Sequence, residues 1–280
     1  MAGPAQSLRS MAQRLHAHEP LGQGRCPRHA HEASDAPAVR SVAVGQPLRW
    51  LRRGWEDLSH HPAASLAGGL AVGALGAVLL VASRSTPHLA PALVGGFLLI
   101  APLAALPFHA LSRQRLAGQR PDLGEALADG GRNAGSLALF GLLLAITFLA
   151  WERVGAVSFA LLYGGLVPDL SNLLFDVLLS GRYAALAVAF VGIGALFAAG
   201  VFAIGVVSVP MLLDREDSDL VGAIATSVRA CRASPAAMLL WAALIVALMA
   251  IGYATALLGL VVIFPLLGHA SWHAYRDMVD

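Results

Sequence analysis

Residues 233–275 read ASPAAMLLWAALIVALMAIGYATALLGLVVIFPLLGHASWHAY, 43 residues without one Asp, Glu, Lys or Arg. As one straight helix this stretch would run roughly 65 Å at 1.5 Å per residue, twice the about 30 Å of a bilayer's hydrocarbon core. It therefore predicts two crossings with a turn between them, placed by the glycines near Gly252–Gly259. The same search, worked towards the N-terminus, finds four more intervals free of formal charge: Tyr183–Leu213, Asn133–Trp151, Ser85–Ser112 and Ala63–Ser83. The expectation is an all-α, polytopic membrane helix bundle of about six transmembrane helices, spanning about 63–83, 88–111, 133–153, 184–210, 236–254 and 257–275. Val154–Pro168 is apolar but short, and directly follows Glu152 and Arg153. It reads as a continuation of the third helix or an interfacial helix rather than a seventh crossing.

Composition agrees. Hydrophobic residues make up 57% and charged residues 13%, about half the charged share of a soluble domain. With a mean hydropathy of +0.68, the chain has too little charge to cover a water-facing surface. The net charge of +2 is small and its basic residues are scattered, which excludes nucleic acid as a natural partner. The lipid bilayer is the expected partner, with a second membrane protein as a possible one. Cys26 and Cys231 define no disulfide framework.

All 19 basic residues are Arg, a usage that points to a bacterial source. With the N-terminus inside, the cytoplasmic flanks hold Arg40, Arg49, Arg52, Arg53, Arg113, Arg115, Arg120, Arg132, Arg215, Arg229, Arg232 and Arg276. The outer side holds only Arg84, Arg153 and Arg182. Twelve against three places both termini in the cytoplasm and the protein in a bacterial inner membrane. Residues 1–45 carry no periodic apolar pattern and no signal-peptide hydrophobic region, so they are expected to be a disordered cytoplasmic tail ahead of a 46–280 transmembrane domain. A presequence is the alternative there, since no acid precedes Glu19.

Three stretches share one order: a short amphipathic helix, a helix-start signal, then a span. Leu48, Leu51, Trp55 and Leu58 precede His61-Pro62; Leu123, Ala126 and Leu127 precede Asn133-Ala134; Leu220, Ile224 and Val228 precede Ser234-Pro235. Asn133 and Ser234 are expected N-caps, and Pro62 and Pro235 suit a first helical turn. The second span of each unit carries a proline: Pro102, Pro210 and Pro265. This predicts three hairpins of like topology, related by rotation about the membrane normal, each introduced by an amphipathic surface helix.

Several local patterns, taken together, resemble a known family. They are Pro47-Leu48-Arg49-Trp50-Leu51 with Gly54-Trp55-Glu56-Asp57-Leu58, Gly135-Ser136-Leu137-Ala138-Leu139-Phe140-Gly141, Pro210-Met211-Leu212-Leu213-Asp214-Arg215, and Pro265-Leu266-Leu267-Gly268-His269-Ala270-Ser271-Trp272-His273-Ala274-Tyr275-Arg276-Asp277. The chain over about 40–280 is similar to the proteobacterial predicted integral membrane proteins of domain of unknown function 2189. It departs at Ala134, where the other two repeats have Pro. The resemblance implies a membrane location and no biochemical activity.

His269 and His273 lie four apart, on one face of a helix. His109 sits at a comparable depth on the second span, and Asp214 ends the fourth. Imidazoles with a carboxylate are ligands for Zn²⁺ or a similar divalent ion, so His109, Asp214, His269 and His273 are the candidate metal set. The competing reading is an interfacial anchor beside the belt residues Trp272 and Tyr275. Two His-x-His tracts in the tail, His16–His18 and His29–His31, are a weaker metal signal. No P-loop, GxSxG elbow or intramembrane carboxylate pair is present. The expected role is a non-enzymatic scaffold, assembly or regulatory module. The alternatives are a permease-like carrier of a small solute or metal ion, with Thr147, Ser158 and Thr255 as its midplane polar groups, and a membrane enzyme using the rim histidines.

Overall fold

The computed structural model describes residues 37–85, 90–129, 131–162 and 184–280. Among these the chain is helical: α1 (Gln46–His60), α2 (Pro62–Ser85), α3 (Ala90–Ala104), α4 (Leu106–Leu116), α5 (Leu123–Asp129), α6 (Ala134–Leu162), α7 (Ala184–Gly205), α8 (Ser208–Asp214), α9 (Leu220–Ala233), α10 (Pro235–Ala254) and α11 (Leu260–Met278). The tail up to residue 36, with Cys26 and the His-x-His tracts, lies outside the described residues. So do Arg182 and the end of the doubtful apolar segment, 163–168.

The predicted repeat is visible in the order of elements. Short helices α1, α5 and α9 each precede a long apolar one, α2, α6 and α10, and α2 and α10 begin at the expected prolines. Among the described residues four stretches are long and apolar enough to cross a membrane: Pro62–Arg84, Ala134–Leu162, Ala184–Asp214 and Pro235–Ala254. Between 11% and 22% of the residues in their apolar windows are buried inside the bundle. The remaining Leu, Val and Ile surface needs a hydrocarbon solvent, because exposing it to water costs about 25 cal/mol per Å².

The other two expected spans depart from single apolar helices. The stretch 88–111 is broken at Ala105: α3 ends after 15 residues and α4 starts afresh. Pro107, in the first turn of α4, has no N–H for the Leu103 carbonyl, and Phe108 and His109 turn back to the Ala105 carbonyl instead. The last span runs 260–278 rather than 257–275, and its second half carries His269, His273, Arg276 and Asp277. Val154 onwards continues α6 without a break as far as Leu162, as one of the two readings of that segment required.

The fourth span kinks between α7 and α8 for a tertiary reason. The Ser227 hydroxyl, from α9, donates to the Ala203 carbonyl at 2.7 Å and accepts from the Val207 N–H at 3.2 Å. Those two backbone groups would otherwise bond to each other, so one side chain is inserted into the helical ladder. The turn from α10 to α11 falls at Thr255–Gly259, within the expected window. It is tight: Ala256 and Leu257 take positive φ of 53° and 70°, and the Gly259 N–H donates to Thr255 Oγ1 at 2.8 Å.

Helix α11 is the element the others pack around. It lies against α1, α2 and α4, and its inner face is buried over most of its length. Close approach to α1 depends on Gly54, where a Cβ would stand 2.8 Å from the Ala270 nitrogen and 2.9 Å from the Leu266 carbonyl oxygen. On α2, a Cβ at Gly69 would collide with the Val261 carbonyl. Residues 37–45, expected to belong to a disordered tail, are ordered. Val39 forms an antiparallel bridge with Val279, Arg40 N–H donates to the Met278 carbonyl at 2.8 Å, and Val42 N–H donates to Ser234 Oγ at 2.8 Å. Ser234 is thus occupied by this strap and makes no side-chain cap on α10. Asn133 likewise donates to the Ser218 carbonyl at 3.0 Å.

Gly54→Ala should push α1 off α11, because both clashes are with backbone, and should cost about 1–3 kcal/mol. Gly200→Ala, where nothing lies within 4 Å of the new methyl, should be neutral or slightly stabilising. Thermal melts of the two purified variants in one detergent check the contrast.

Candidate functional site

The helix α1 shows how the site arises. Trp50, Gly54, Asp57 and Leu58 fall at i, i+4, i+7 and i+8 and are buried against α11 and its neighbours, while Leu48, Arg49, Arg52 and Trp55 stay exposed. An acid therefore sits on the inward stripe of an amphipathic helix. Asp57 is 4% exposed. A buried carboxylate must be paired and fully hydrogen-bonded, and two helices supply its partners.

His273 Nε2 of α11 donates to Asp57 Oδ2 at 2.9 Å, and Ser112 Oγ of α4 donates to the same oxygen at 2.5 Å. Arg115, also of α4, forms a salt bridge with Oδ1. The Ser112 hydroxyl proton is committed to Asp57, so His269 Nδ1, 2.8 Å away, is the donor in that pair. His269 Nε2 is then the acceptor from Ser65 Oγ of α2 at 3.0 Å. The chain Ser65–His269–Ser112–Asp57–His273 is continuous, and every member is buried. Burial alone would drive the Asp57 carboxyl up, but hydrogen bonds from His273 and Ser112, with the nearby imidazoles, outweigh it and hold the pKa below its ordinary value.

A second carboxylate repeats the device one turn further along α11. Asp277 accepts from Gln46 Nε2 at 2.5 Å, Trp50 Nε1 at 2.8 Å and Arg53 Nη1 at 3.0 Å. His269, His273 and Asp277 thus line one face of α11 at four-residue intervals, all turned towards α1, α2 and α4.

The four candidate ligands do not share one site. His269 and His273 meet around Asp57. Asp214, at the end of α8, accepts instead from the Tyr275 hydroxyl at 2.8 Å and from Arg276 at 3.4 Å, on the opposite side of α11. His109 faces neither group: it is 2% exposed, and both its ring nitrogens lack a partner among the described residues. Among the described residues no three His, Cys, Asp or Glu side chains are gathered so as to hold a metal ion. The sequence reading grouped these residues by depth, whereas helix rotation separates them. It missed Asp57, Ser112, Ser65, Arg115 and Asp277; the legible signal was the acid on the inward stripe of α1.

Several other charges at this end of the bundle are also joined internally. Arg113 bonds Asp129 and donates to the Leu213 carbonyl at 2.9 Å, Arg132 bonds Asp129 and Glu216, Arg215 reaches the Asp280 carbonyl, and Arg40 pairs with the Asp280 side chain. Ser65 beside His269 has the chemistry of a nucleophile beside a base. It is 0% exposed, however, and the same imidazole is fixed by Ser112. The cluster locks α1, α2, α4 and α11 to one another.

Asp57→Asn should cost about 3 kcal/mol at neutral pH, because it leaves Arg115 and His273 around a lost charge. The folded pKa of Asp57 lies below the unfolded one, so this stabilisation is complete above the ordinary carboxylate value of about 4 and is lost as pH falls through the lower folded value. Melting curves of the wild type and Asp57→Asn, taken down to about pH 3, should therefore converge at the acid end.

The comparison with known families matches residues 89–214 to the family described as predicted integral membrane protein, domain of unknown function 2189. The match runs from the start of α3 to the end of α8. It leaves out the α1 motif and the C-terminal motif, which the resemblance over 40–280 had included. Neither a curated protein nor a solved structure matches the chain. Over residues 89–214 the chain is thus similar to this family of predicted integral membrane proteins.

Proposed function

We propose that the protein is a non-enzymatic membrane module that scaffolds or regulates a partner complex. It would cross a bacterial inner membrane six times, with the α1 side of the bundle in the cytoplasm. The observation that supports this most is the consumption of the rim's acids and histidines by internal bonds. Asp57, Asp129, Asp214 and Asp277 each have at least two donors from within the chain, and no carboxylate–imidazole pair is left facing a substrate. The carrier alternative is weakened by its own candidates. Thr147, Ser158 and Thr255 donate to helix carbonyls of their own segments at 2.8, 2.7 and 3.1 Å, so none of these three hydroxyls has its proton free for a solute. What remains presented outwards on α1 is Leu48 and Trp55, 58% and 52% exposed, flanked by Arg49 and Arg52.

Six crossings follow if α3 with α4, and α11, complete the two remaining hairpins at the depth of their prolines. The Arg-bearing ends of α1, α4, α5, α8, α9 and α11 are tied together by the ion pairs above, which suits one cytoplasmic side. A periplasmic reporter fused after Ser85 or Leu258 should be active and one after Gly118, Asp217 or Asp280 inactive. Activity at Asp280 would overturn the even count.

The scaffold reading is tested on protein extracted from its own membranes in native nanodiscs and weighed by mass spectrometry. A stoichiometric protein partner, lost in the Leu48→Glu/Trp55→Glu variant, is the expected result. A chain that runs alone and moves a small solute across proteoliposomes would replace scaffold with carrier.

A further inference from the structure

A cavity of about 940 Å³ lies between α6, α7, α10 and the inner ends of α4 and α11. On α7 its wall runs from Gly194 to Gly205, about 16 Å of helix. Aromatic rings form part of its wall, Phe148, Trp151 and Phe202 among them. Helices α7 and α10 do not pack closely on each other. Leu239 and Val246 of α10 line the cavity and are also 74% and 68% exposed, so the gap between those helices opens on the lipid side of the bundle.

One wall residue breaks the apolar pattern. His109 lines the cavity, is 2% exposed, and has a hydrogen-bond partner on neither ring nitrogen among the described residues. The neighbouring polar groups differ from it. Thr147 and Ser271 also line the cavity, but each hydroxyl donates to a carbonyl of its own helix at 2.8 Å. An imidazole this deeply buried beside no carboxylate is neutral, with one donor and one acceptor to offer. Hydrocarbon alone would fill the volume and leave both unmet. Among the described residues no charged side chain lines the cavity, so a phosphate or carboxylate would enter without a counter-charge from them.

We propose that this cavity binds a neutral lipid whose long apolar chain lies along α7 and leaves between α7 and α10, with a carbonyl or hydroxyl at its polar end hydrogen-bonded to His109. Isoprenoid quinones and diacylglycerols share that chemistry, and the ring-lined walls suit a flat quinone head. The volume falls in the range of about 300–1,000 Å³ usual for small-molecule sites. This inference stands on different residues from the scaffold reading and holds or fails independently of it.

The test uses the full chain in phosphatidylcholine nanodiscs, with a short-tailed ubiquinone, dioleoylglycerol, palmitate and hexadecane as separate probes. Quenching by the ubiquinone should be saturable and should disappear in Trp151→Phe, since the other four tryptophans do not line the cavity. Dioleoylglycerol should displace it if the site accepts both classes, and only one of the two should bind if the head is read. His109→Leu should weaken binding about tenfold, the loss of one buried hydrogen bond, and His109→Gln, which keeps a donor and an acceptor, should restore most of it. Ala242→Trp, which fills the cavity from the α10 wall, should abolish binding in a chain that still melts cooperatively. Hexadecane or palmitate competing as well as the ubiquinone would overturn the proposal, as would binding unchanged by both His109→Leu and Ala242→Trp. The absence of saturable binding by ubiquinone and dioleoylglycerol alike would also overturn it.

Discussion

A carboxylate buried at 4% exposure cannot stand alone, and the packing at the rim follows from satisfying Asp57. Its three polar partners come from two helices distant in sequence, α4 and α11, while the acid itself comes from α1. Each bond is directional, so it fixes the rotation of its helix as well as its distance. Hydrophobic contact between Gly, Ala and Leu surfaces would tolerate sliding or rotation of α11 against α1. An Asp57–His273 bond of 2.9 Å and the Trp50–Asp277 bond of 2.8 Å, one turn apart, remove both freedoms. The glycine at position 54 is a consequence: helices pinned at this separation leave no room for a Cβ facing Ala270.

The same logic explains why the polar groups crowd one end of the bundle. Within hydrocarbon there is no hydrophobic drive to bring helices together, so association relies on small residues and on hydrogen bonds. At the rim, charged groups can be partly hydrated and are cheaper to bring together. The bundle therefore closes tightly at the rim through Asp57, Asp129, Asp214 and Asp277, and is looser deeper in, where α7 and α10 stand apart. The cavity sits in that looser part, bounded below by the locked end.

Sequence periodicity carried the long-range plan because it reflects the solvent each segment must face. Charge-free intervals located α2, α6, α7 and α10 to within a few residues at most boundaries, and the Thr255–Gly259 turn fell where a 43-residue interval had to fold back. Three features were illegible because they are tertiary. The α7–α8 kink needs Ser227 from another helix, the strap at residues 37–42 is held largely by backbone bonds to residues 278–280, and Ser234 serves that strap instead of its own helix. A cap residue is a polar group with several claimants, and sequence names only the local one.

The candidate site was half legible, and the division has a single cause. Spacing of four placed His269 and His273 on one face of α11, and that was right because it concerns one helix. Grouping them with His109 and Asp214 assumed that equal depth means convergence. Depth is only one of two coordinates on a helix; the other is azimuth. Asp214 and the Asp57 cluster approach α11 from opposite sides at nearly one level, so Tyr275 and Arg276 meet the first while His273 meets the second. His109, on α4 beside Phe108, is turned by one residue from the ring that packs edge-on against His269 at 5.6 Å. A one-residue step is about 100° of rotation. That rotation takes an imidazole out of a hydrogen-bonded cluster and leaves it facing an apolar cavity with its bonds unmade.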